Sequence, residues 1–536
     1  MPEKRCSRLL SHAHNVIKLK ELGMKLVKLS MVAAATCLLA TSAYALKTED
    51  RVLKANYQVE YTKAPGSVNS FTEMFTEGEV YGRLRSNMFW WDWDTEKTSG
   101  SSQTRDNNMW GLGGSVVYKT GFFHGLGATA GFYGTVPMHR DNIDPAVANT
   151  NFGKAGKDTY HTRRDGTEGA MGNFAEAYLE YKNGKTNVKV GRQGIDSIMI
   201  ATNDTKMIPN TFEAAVIENK DIPDTTIRAG YITAQKLRDH QEFHSLIASG
   251  ADSATLSTDK TAYNDDSGTH KGLSAYNIRT KGGGDVDPEM KLLTVSNKSI
   301  PNLKLDGEYI GLQGFFNTVI GEANYQIKLN DSWTLTPGIR YLKQMDDGAG
   351  YIGGASLSGS LRAIPVGTAS GGYKDARNAD GSIIMARLVA ASGPLELSAG
   401  YSKISDDADI IAPWRGFPTG GYTRSMAQVD WIANTKNWAV KAVYDFGKAG
   451  LVPGLLVAAD YENMNFDDKK AFTSTFTDRT IFHVDATQTF KSLPNTEFKF
   501  RFATVNADPA YTSATVQGTV DNNSYNEYRF EMNYLF

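Results

Sequence analysis

The end of the chain limits the possible folds more than any other segment. From position 528 onward, every second residue is aromatic or methionine, namely Tyr528, Phe530, Met532, Tyr534 and Phe536. The intervening positions begin with Arg529, Glu531 and Asn533. Because successive side chains of a β-strand point to opposite faces, this segment predicts a strand with one apolar and one charged face. The apolar row continues to the last residue.

The same alternation recurs along the chain. In residues 80–85, 440–446 and 498–502, aromatic or aliphatic side chains alternate with charged ones. Backbone groups in hydrocarbon are satisfied only by helices or closed barrels, so the apolar face is expected to contact lipid and the charged face a lumen. The terminal aromatic residue also resembles the last strand of outer-membrane barrels, which the assembly machinery reads. These features predict an all-β fold, a transmembrane antiparallel β-barrel.

The composition excludes a helical membrane protein. The mean hydropathy is −0.38, and no apolar run of the roughly 18 residues that indicate a spanning helix follows the N-terminal region. The chain contains 25 Tyr, 24 Phe and 51 Gly residues, which is typical of strands with aromatic girdles. Since no linker or shift in composition divides the chain after its N-terminal region, we expect one barrel domain over residues 76–536.

The N-terminus has the layout of a secretory signal. A basic start, Met24–Lys28, is followed by the apolar stretch Leu29–Leu39 and by the small residues Ala43 and Ala45. The apolar stretch is shorter than the ~20 residues of a spanning helix, which disfavours a membrane anchor. We therefore expect residues 1–45 to be a signal peptide cleaved after Ala45, with residues 1–23 as an over-long gene start.

Removal of this signal changes both the cysteine content and the charge. Cys6 and Cys37 precede the expected cleavage site, so the mature chain would have no disulfide and no Cys-ligated metal. It would carry 50 basic and 57 acidic residues, a net charge of −7, unlike a polybasic nucleic-acid binder. We expect no catalytic residue, metal or cofactor, and no nucleic-acid partner.

Short turns alternate with long connections after residue 76. Turn formers such as Asn183-Gly184 and Val452-Pro453-Gly454 lie between long polar segments, at 138–172, 238–286, 345–379 and 406–424. With residues 421–433 taken as a loop before one strand near 430–446, the count is eighteen strands, with both chain ends in the periplasm. In the periplasmic segment 46–75, the capping box Ser70–Glu73 predicts a short helix, although a disordered tail remains an alternative.

Several motifs resemble the OprD-like family of substrate-selective outer-membrane porins, in a divergent branch. They are Glu77–Arg85, Val190–Gln193, Asn203–Phe212, Pro413–Pro418, the segment from Asp445 to Leu455 and the terminal strand. The resemblance implies an eighteen-stranded barrel whose third external loop, with Asn203, Asp204 and Pro209, folds inward. It also implies a column of Arg and Lys that guides carboxylates. The family usually has Arg where this chain has Lys206, and Lys offers a mobile point charge in place of a rigid fork.

Alternation assigns a set of basic residues to the lumen, and converging positive charge in a confined channel attracts anions. The expected inward residues are Arg83, Arg85, Arg340, Arg387, Lys441, Lys499, Arg501 and Arg529, with Lys206 and Arg424 at the constriction. A register slip of one residue would turn a side chain to the lipid. A second interpretation stays open, in which these cations only form the ion pairs that any water-filled barrel contains.

These observations favour a porin of the Gram-negative outer membrane for passive diffusion of small carboxylates, amino acids or short peptides. The alternatives are an outer-membrane phospholipase or protease, for which no nucleophile motif stands out, and a structural or adhesive barrel. A TonB-dependent receptor would need a plug domain, and only about thirty residues separate Leu46 from Thr76. The expected partners are outer-membrane lipid and lipopolysaccharide, small solutes and the assembly machinery, with the chain a monomer or trimer.

Overall fold

The computed structural model describes residues 51–53, 59–61, 65–94, 106–140, 170–238, 241–246, 288–356, 360–412, 421–426, 431–470, 477–511, 520–521 and 524–536. The expected signal peptide and the Pro413–Pro418 motif lie outside these residues. The short Arg51–Leu53 and Val59–Tyr61 strands pair with each other, and the remaining described elements belong to the barrel, its connections and a short N-terminal helix.

Eighteen long strands in the described part of the chain form one closed antiparallel barrel, which confirms the predicted fold class and strand number. They are β1 (Glu79–Trp93), β2 (Asn107–Lys119), β3 (Leu126–Arg140), β4 (Met171–Asn183), β5 (Thr186–Gln193), β6 (Thr211–Asn219), β7 (Thr225–Lys236), β8 (Met290–Asn297), β9 (Leu303–Leu312), β10 (Phe316–Tyr325), β11 (Thr334–Asp346), β12 (Gly381–Ser392), β13 (Leu395–Ile404), β14 (Lys436–Asp445), β15 (Leu455–Asn465), β16 (Arg479–Phe490), β17 (Leu493–Ala507) and β18 (Tyr525–Leu535).

The two faces of a strand differ sharply in exposure. On β1, Val80 and Leu84 are 49% and 42% exposed, whereas Arg83 and Phe89 are 1% and 0% exposed. The exposed residues are those that the alternation assigns to lipid, and the buried ones point into the barrel. Because side chains alternate strictly along a strand, this difference assigns inner and outer faces to the neighbouring residues as well.

The terminal strand closes the barrel against β1. Tyr525 lies opposite Trp93 and Leu535 opposite Arg83, and the pairing extends one residue further. The Phe536 amide donates to the Gly82 carbonyl at 3.1 Å, and the Gly82 amide donates to the Phe536 carbonyl at 3.0 Å. The last residue of the chain is therefore part of the seam.

The short connections lie at one end of the barrel, called here the turn end, together with both ends of the barrel chain; the exception is the three-residue connection 313–315 between β9 and β10, which lies at the other end. Several use residues with positive φ, for example Gly184 at +57° and Asn302 at +64°. The turn between β16 and β17, which the turn formers Leu493-Pro494-Asn495 predict from the sequence, differs in detail. Leu493 is already the first residue of β17, and Asn495, at φ +65°, lies beyond a register irregularity in the β16–β17 pair. A bulge therefore follows a tighter turn than the Pro494 position suggested.

The opposite end, called here the loop end, carries the long connections. One of them, residues 194–210 between β5 and β6, is called L3 and folds into the barrel. Its Ile195, Met199 and Ile200 join a buried apolar cluster with inward residues of β6–β13, such as Phe212 and Leu342. Burial of such side chains stabilises each by about 1.5–3 kcal/mol. This packing fills the loop-end half of the barrel beside β6–β13. On the wall from β15 to β1, a second apolar cluster, with Phe89, Ile481 and Val505, lies toward the loop end, and charged residues lie nearer the turn end.

Helices in the described residues are short. Helix α1 (Phe71–Thr76) precedes β1, and the Glu73 amide donates to the Ser70 hydroxyl that caps it. Helix α2 (Ala349–Gly353) and the 3-10 turns Ser360–Ala363 and Gly421–Thr423 lie in loop-end connections. Among the residues described, no helix combines the length and apolar character needed to cross a bilayer.

Candidate functional site

L3 is held inside the barrel by a buried carboxylate. Asp204, 1% exposed, forms ion pairs with Arg83 and with Arg85 Nη1, the latter at 3.2 Å. Arg85 Nη1 also donates to the Asp204 carbonyl at 2.7 Å. Both arginines come from β1 and are themselves 1% and 2% exposed. Their contacts therefore fix the loop against the wall, and a direct contact with solute stays a prediction for these two residues.

Other strands hold L3 from the opposite side. Glu308 on β9 accepts hydrogen bonds from the Ile198 and Met199 amides at 2.6 and 3.0 Å. Lys236 at the end of β7 donates to the Pro209 carbonyl at 2.6 Å. These anchors were not identified in the sequence. Alternation along the strands assigns the Glu308 and Lys236 side chains to the inner face. Their partners on L3, however, depend on the path of the loop, which the sequence does not show.

The remaining residues of the predicted loop motif shape L3 itself. The Asn203 amide donates to the Asn210 side chain at 2.7 Å, and the Asn203 side chain accepts from the Thr205 amide at 3.0 Å. These bonds close a turn around Asp204, which presents its carboxylate to β1. Because the hydrogen bonds are buried and local, the motif has a clear structural role.

Lys206 points to the β1 wall. Its Nζ lies 4.1 Å from the Phe89 ring centroid and 5.1 Å from that of Trp91, and the Asn87 side chain donates to the Lys206 carbonyl at 3.1 Å. The side chain is 5% exposed. An ammonium over aromatic faces is stabilised electrostatically, so Lys206 contributes to docking of L3. Its contact with a permeating solute stays a prediction.

Eight of the predicted basic residues form a belt on the inner wall, called here the basic belt. Each lies four to eight residues from the turn end of its strand, and the set covers β1, β11, β12, β14, β17 and β18. The members are Arg83, Arg85, Arg340, Arg387, Lys441, Lys499, Arg501 and Arg529. Since their depths along the strands are similar, they border the same section of the lumen, close to L3.

Carboxylates neutralise much of this belt. Arg501 binds Asp485 through two nitrogens at 2.7 and 2.8 Å, and Lys499 reaches the same carboxylate at 2.8 Å. Arg529 pairs with Glu527 at 2.8 Å. Further pairs are Arg85–Glu531 at 3.4 Å and Arg340–Glu322 at 2.5 Å. These contacts agree with the interpretation of the cations as ion-paired lumen charges, which the sequence left open.

Two members of the belt differ from the others. Arg387 donates to the neutral amide oxygen of Asn324 at 2.7 Å, and Lys441 has an exposed side chain. Neither has a carboxylate partner within the residues that the structure describes. On β13, which lies between their strands, Gly400 is opposite Arg387 and Ser398 is opposite Lys441. The Cα atoms of Arg387 and Lys441 are therefore about 12 Å apart. Neither forms a close ion pair in the described ranges, although Lys441 lies directly opposite Asp460 on β15, whose carboxylate contacts His483 at 2.8 Å.

A second loop segment, residues 421–426, lies against the inner wall at the same depth and is called the inner segment. Its Tyr422 ring packs 4.2 Å from the Arg387 guanidinium and 4.9 Å from that of Arg340. Gly400 is required here because an added Cβ would lie 2.3 Å from the Tyr422 carbonyl oxygen. Burial, with the nearby Glu322 charge, raises the pKa of Tyr422 to about 12, so its phenol is neutral at physiological pH.

The inner segment is tied to β13 and β15. The Thr423 and Ser402 hydroxyls are 2.8 Å apart, and the Ser425 amide donates to Glu462 at 3.0 Å. Arg424 Nε donates to the Met426 carbonyl at 3.2 Å within the same segment, and a contact of Arg424 with solute stays a prediction. Tyr422 was not identified in the sequence. It lies in a loop that packs against the inner wall, and loop residues do not follow the two-residue alternation that identifies strands.

The fold and this arrangement define a class of protein, a membrane-spanning β-barrel whose lumen is narrowed by an inward loop and bordered by fixed charges. The model of the outer membrane porin, OprD family, matches residues 75–536. The chain belongs to this family. It is a porin of the bacterial outer membrane, and small solutes pass through it by passive diffusion.

Solved structures of similar fold span nearly the whole barrel. OpdQ of Pseudomonas aeruginosa is 17% identical, with a TM-score of 0.58 over 86% of this chain and 98% of that one. OpdK of the same organism, solved with vanillate, is 14% identical, with a TM-score of 0.61 over 86% and 99%. OccAB4 of Acinetobacter baumannii is 15% identical, with a TM-score of 0.61 over 86% and 98%. No curated protein sequence matches the chain.

Proposed function

We propose that this porin favours small solutes carrying a carboxylate, such as organic acids, amino acids or short peptides. The observation that carries the proposal is the state of Arg387 and Lys441, which face the lumen without a carboxylate partner in the described ranges. A cation already paired with Asp or Glu presents little net charge. A cation without a close ion pair keeps more of its charge available to attract a passing anion.

Arg387 and Lys441 offer complementary interactions to such a solute. The Arg387 guanidinium can bind a carboxylate through two parallel hydrogen bonds, and its neutral partner Asn324 leaves its charge intact. Lys441 offers a mobile point charge about 12 Å away. The spacing allows a carboxylate to leave one cation and approach the next, which weak sequential sites require for conduction.

A related structure is consistent with this proposal. OpdK was solved with vanillate, which is an aromatic carboxylate. That protein shares only 14% identity with this chain, so its solute is not transferred. It supports only the general idea that this barrel fold can admit a small carboxylate.

Liposome swelling with matched solutes tests the proposal. Each carboxylate is compared with the amide of the same skeleton, so that size and shape are held constant while the charge changes. We expect faster swelling with the carboxylate at low ionic strength and a smaller difference in high salt, since the Debye length falls from about 10 Å at 0.1 M to about 3 Å at 1 M. Equal rates for both members of every pair would contradict the carboxylate preference and leave the pore intact.

Members of the family are channels, and we further propose that this chain has no enzymatic activity. The alternatives of a phospholipase or protease are tested by incubating purified protein with phospholipid vesicles and with casein. We expect no product above that of vesicles without protein. Export through a cleaved signal peptide, recognition of the terminal strand by the assembly machinery, and a monomeric or trimeric state belong to the same proposal.

A further inference from the structure

An aromatic cluster lies at the turn end of the barrel, outside the pore. On α1, Phe71 and Phe75 are one helical turn apart and are 63% and 50% exposed, with their ring centroids 5.3 Å apart. Phe123, in the β2–β3 connection, packs edge-on to Phe71 at 6.5 Å. The helix buries Met74 instead. Within the described residues, the exposed Phe71 and Phe75 and the half-buried Phe123 therefore form one apolar surface.

The helix is fixed to the outer side of the barrel wall. Tyr118 on β2 is paired with Val80, which is 49% exposed on the outer face. The Tyr118 hydroxyl donates to the Phe75 carbonyl at 2.5 Å, and the Gly121 amide donates to the Met74 carbonyl at 2.8 Å. Gly78 permits this approach, since an added Cβ would lie 2.5 Å from the Tyr118 hydroxyl.

The position of α1 along the barrel axis follows from β1. Its outward residues run from Val80 to Trp90. At about 3.3 Å per residue and a tilt of about 40°, this stretch spans about 25 Å, the height of the apolar band of such barrels. Val80 therefore lies at the lower edge of the band, and α1 directly below it. Leu126, 41% exposed, continues the lipid-facing surface three residues from Phe123.

We propose that α1 and Phe123 form an interfacial anchor that inserts Phe71, Phe75 and Phe123 into the phospholipid leaflet at the turn end, the periplasmic leaflet of the outer membrane. Exposed apolar patches mark interaction sites, and aromatic side chains are favoured at both membrane interfaces. The occupant is lipid because the cluster is continuous with the lipid-facing wall at Val80 and Leu126. The anchor would fix the N-terminal segment beside the barrel, clear of the pore.

Site-directed spin labelling measures the immersion of this cluster directly. The expected mature chain contains no cysteine, because Cys6 and Cys37 precede the predicted cleavage site, so one cysteine can be placed at a time. Phe71→Cys and Phe75→Cys are compared with Leu126→Cys on the lipid-facing wall and with Lys185→Cys in an exposed turn. Each variant is reconstituted in phosphatidylethanolamine and phosphatidylglycerol vesicles, and single-channel currents verify that it forms a pore.

The readout is the collision rate of each label with oxygen, which concentrates in lipid, relative to a water-soluble nickel complex. We expect labels at positions 71 and 75 to match Leu126→Cys and to exceed Lys185→Cys at least threefold in the oxygen-to-nickel ratio. A ratio at both positions equal to that of Lys185→Cys would overturn the proposal, because the cluster would then face water or a periplasmic partner. Pore conductance is independent of this result, so the anchor can fail while the porin stands.

Discussion

Reversal of the charge at Lys441 should weaken the selectivity of the pore for anions. Lys441 is exposed on the inner face of β14, so Lys441→Glu removes no buried contact. At about 6 Å and an effective dielectric constant of about 40, each unit charge changes the energy of a passing carboxylate by about 1.4 kcal/mol. The substitution changes two units, about 3 kcal/mol, and screening at 0.1 M salt roughly halves this over that distance.

The remaining ~1.4 kcal/mol corresponds to a factor of about ten. We therefore expect Lys441→Glu to lower the anion-to-cation permeability ratio about tenfold, measured as the reversal potential of single channels in a gradient of dilute KCl. Lys448→Glu is the matched control. Lys448 lies in the β14–β15 turn, where its Nζ donates to the Gly393 carbonyl at 2.8 Å, and it changes the total charge by the same amount outside the belt.

Equal shifts of the reversal potential in the two variants would exclude a local effect of Lys441. The selectivity would then follow the overall charge of the protein, and the belt cations without a close ion pair would have no special part. A shift confined to Lys441→Glu that disappears in 1 M KCl supports a local electrostatic effect, because the Debye length is then about 3 Å.

Four further predictions follow from the loop, the seam and the N-terminus. Asp204→Asn breaks a buried ion pair, a change that costs about 3–5 kcal/mol, so single-channel noise and mean conductance should rise; unchanged traces would exclude Asp204 as an anchor. Lys206→Glu should lower the anion-to-cation permeability ratio, and an unaltered reversal potential would remove Lys206 from the solute path. Deletion of Phe536 removes the last pair of the seam and should reduce the yield of heat-modifiable barrel, whereas normal yield would count against an assembly role. N-terminal sequencing of outer-membrane protein should begin at Leu46, and a start at or before position 31 would disprove the cleavage site.

The barrel was predictable because its strands obey a strict period. Lipid on one side and water on the other force apolar and polar residues to alternate, and the row from Tyr528 to Phe536 shows this most clearly. The uncertain strand near 430–446 begins at Lys436, since the preceding residues pack inside the lumen. Two-residue alternation identifies a strand, but it does not locate the first residue of the strand well. The reason is that a loop next to a strand can be just as apolar as the strand.

The constriction was less predictable for the same reason. L3 was identified only through a motif, because its Ile195, Met199 and Ile200 are buried in the barrel interior and do not read as an external polar loop. The ion pairs of the belt were also beyond the sequence. Alternation assigns Arg501 and Asp485 to the inner face, but the register that brings them within 2.8 Å is a property of the assembled barrel.

Single-channel recording of the wild-type protein in a planar bilayer shows whether the barrel is a conducting pore that prefers anions. The bilayer separates two concentrations of KCl, both below about 0.1 M, where belt charges are least screened. We expect discrete current steps and a reversal potential whose sign shows that chloride is more permeant than potassium. An absence of current steps would contradict the expected pore, and a reversal potential of the opposite sign, with potassium the more permeant ion, would contradict the expected anion preference.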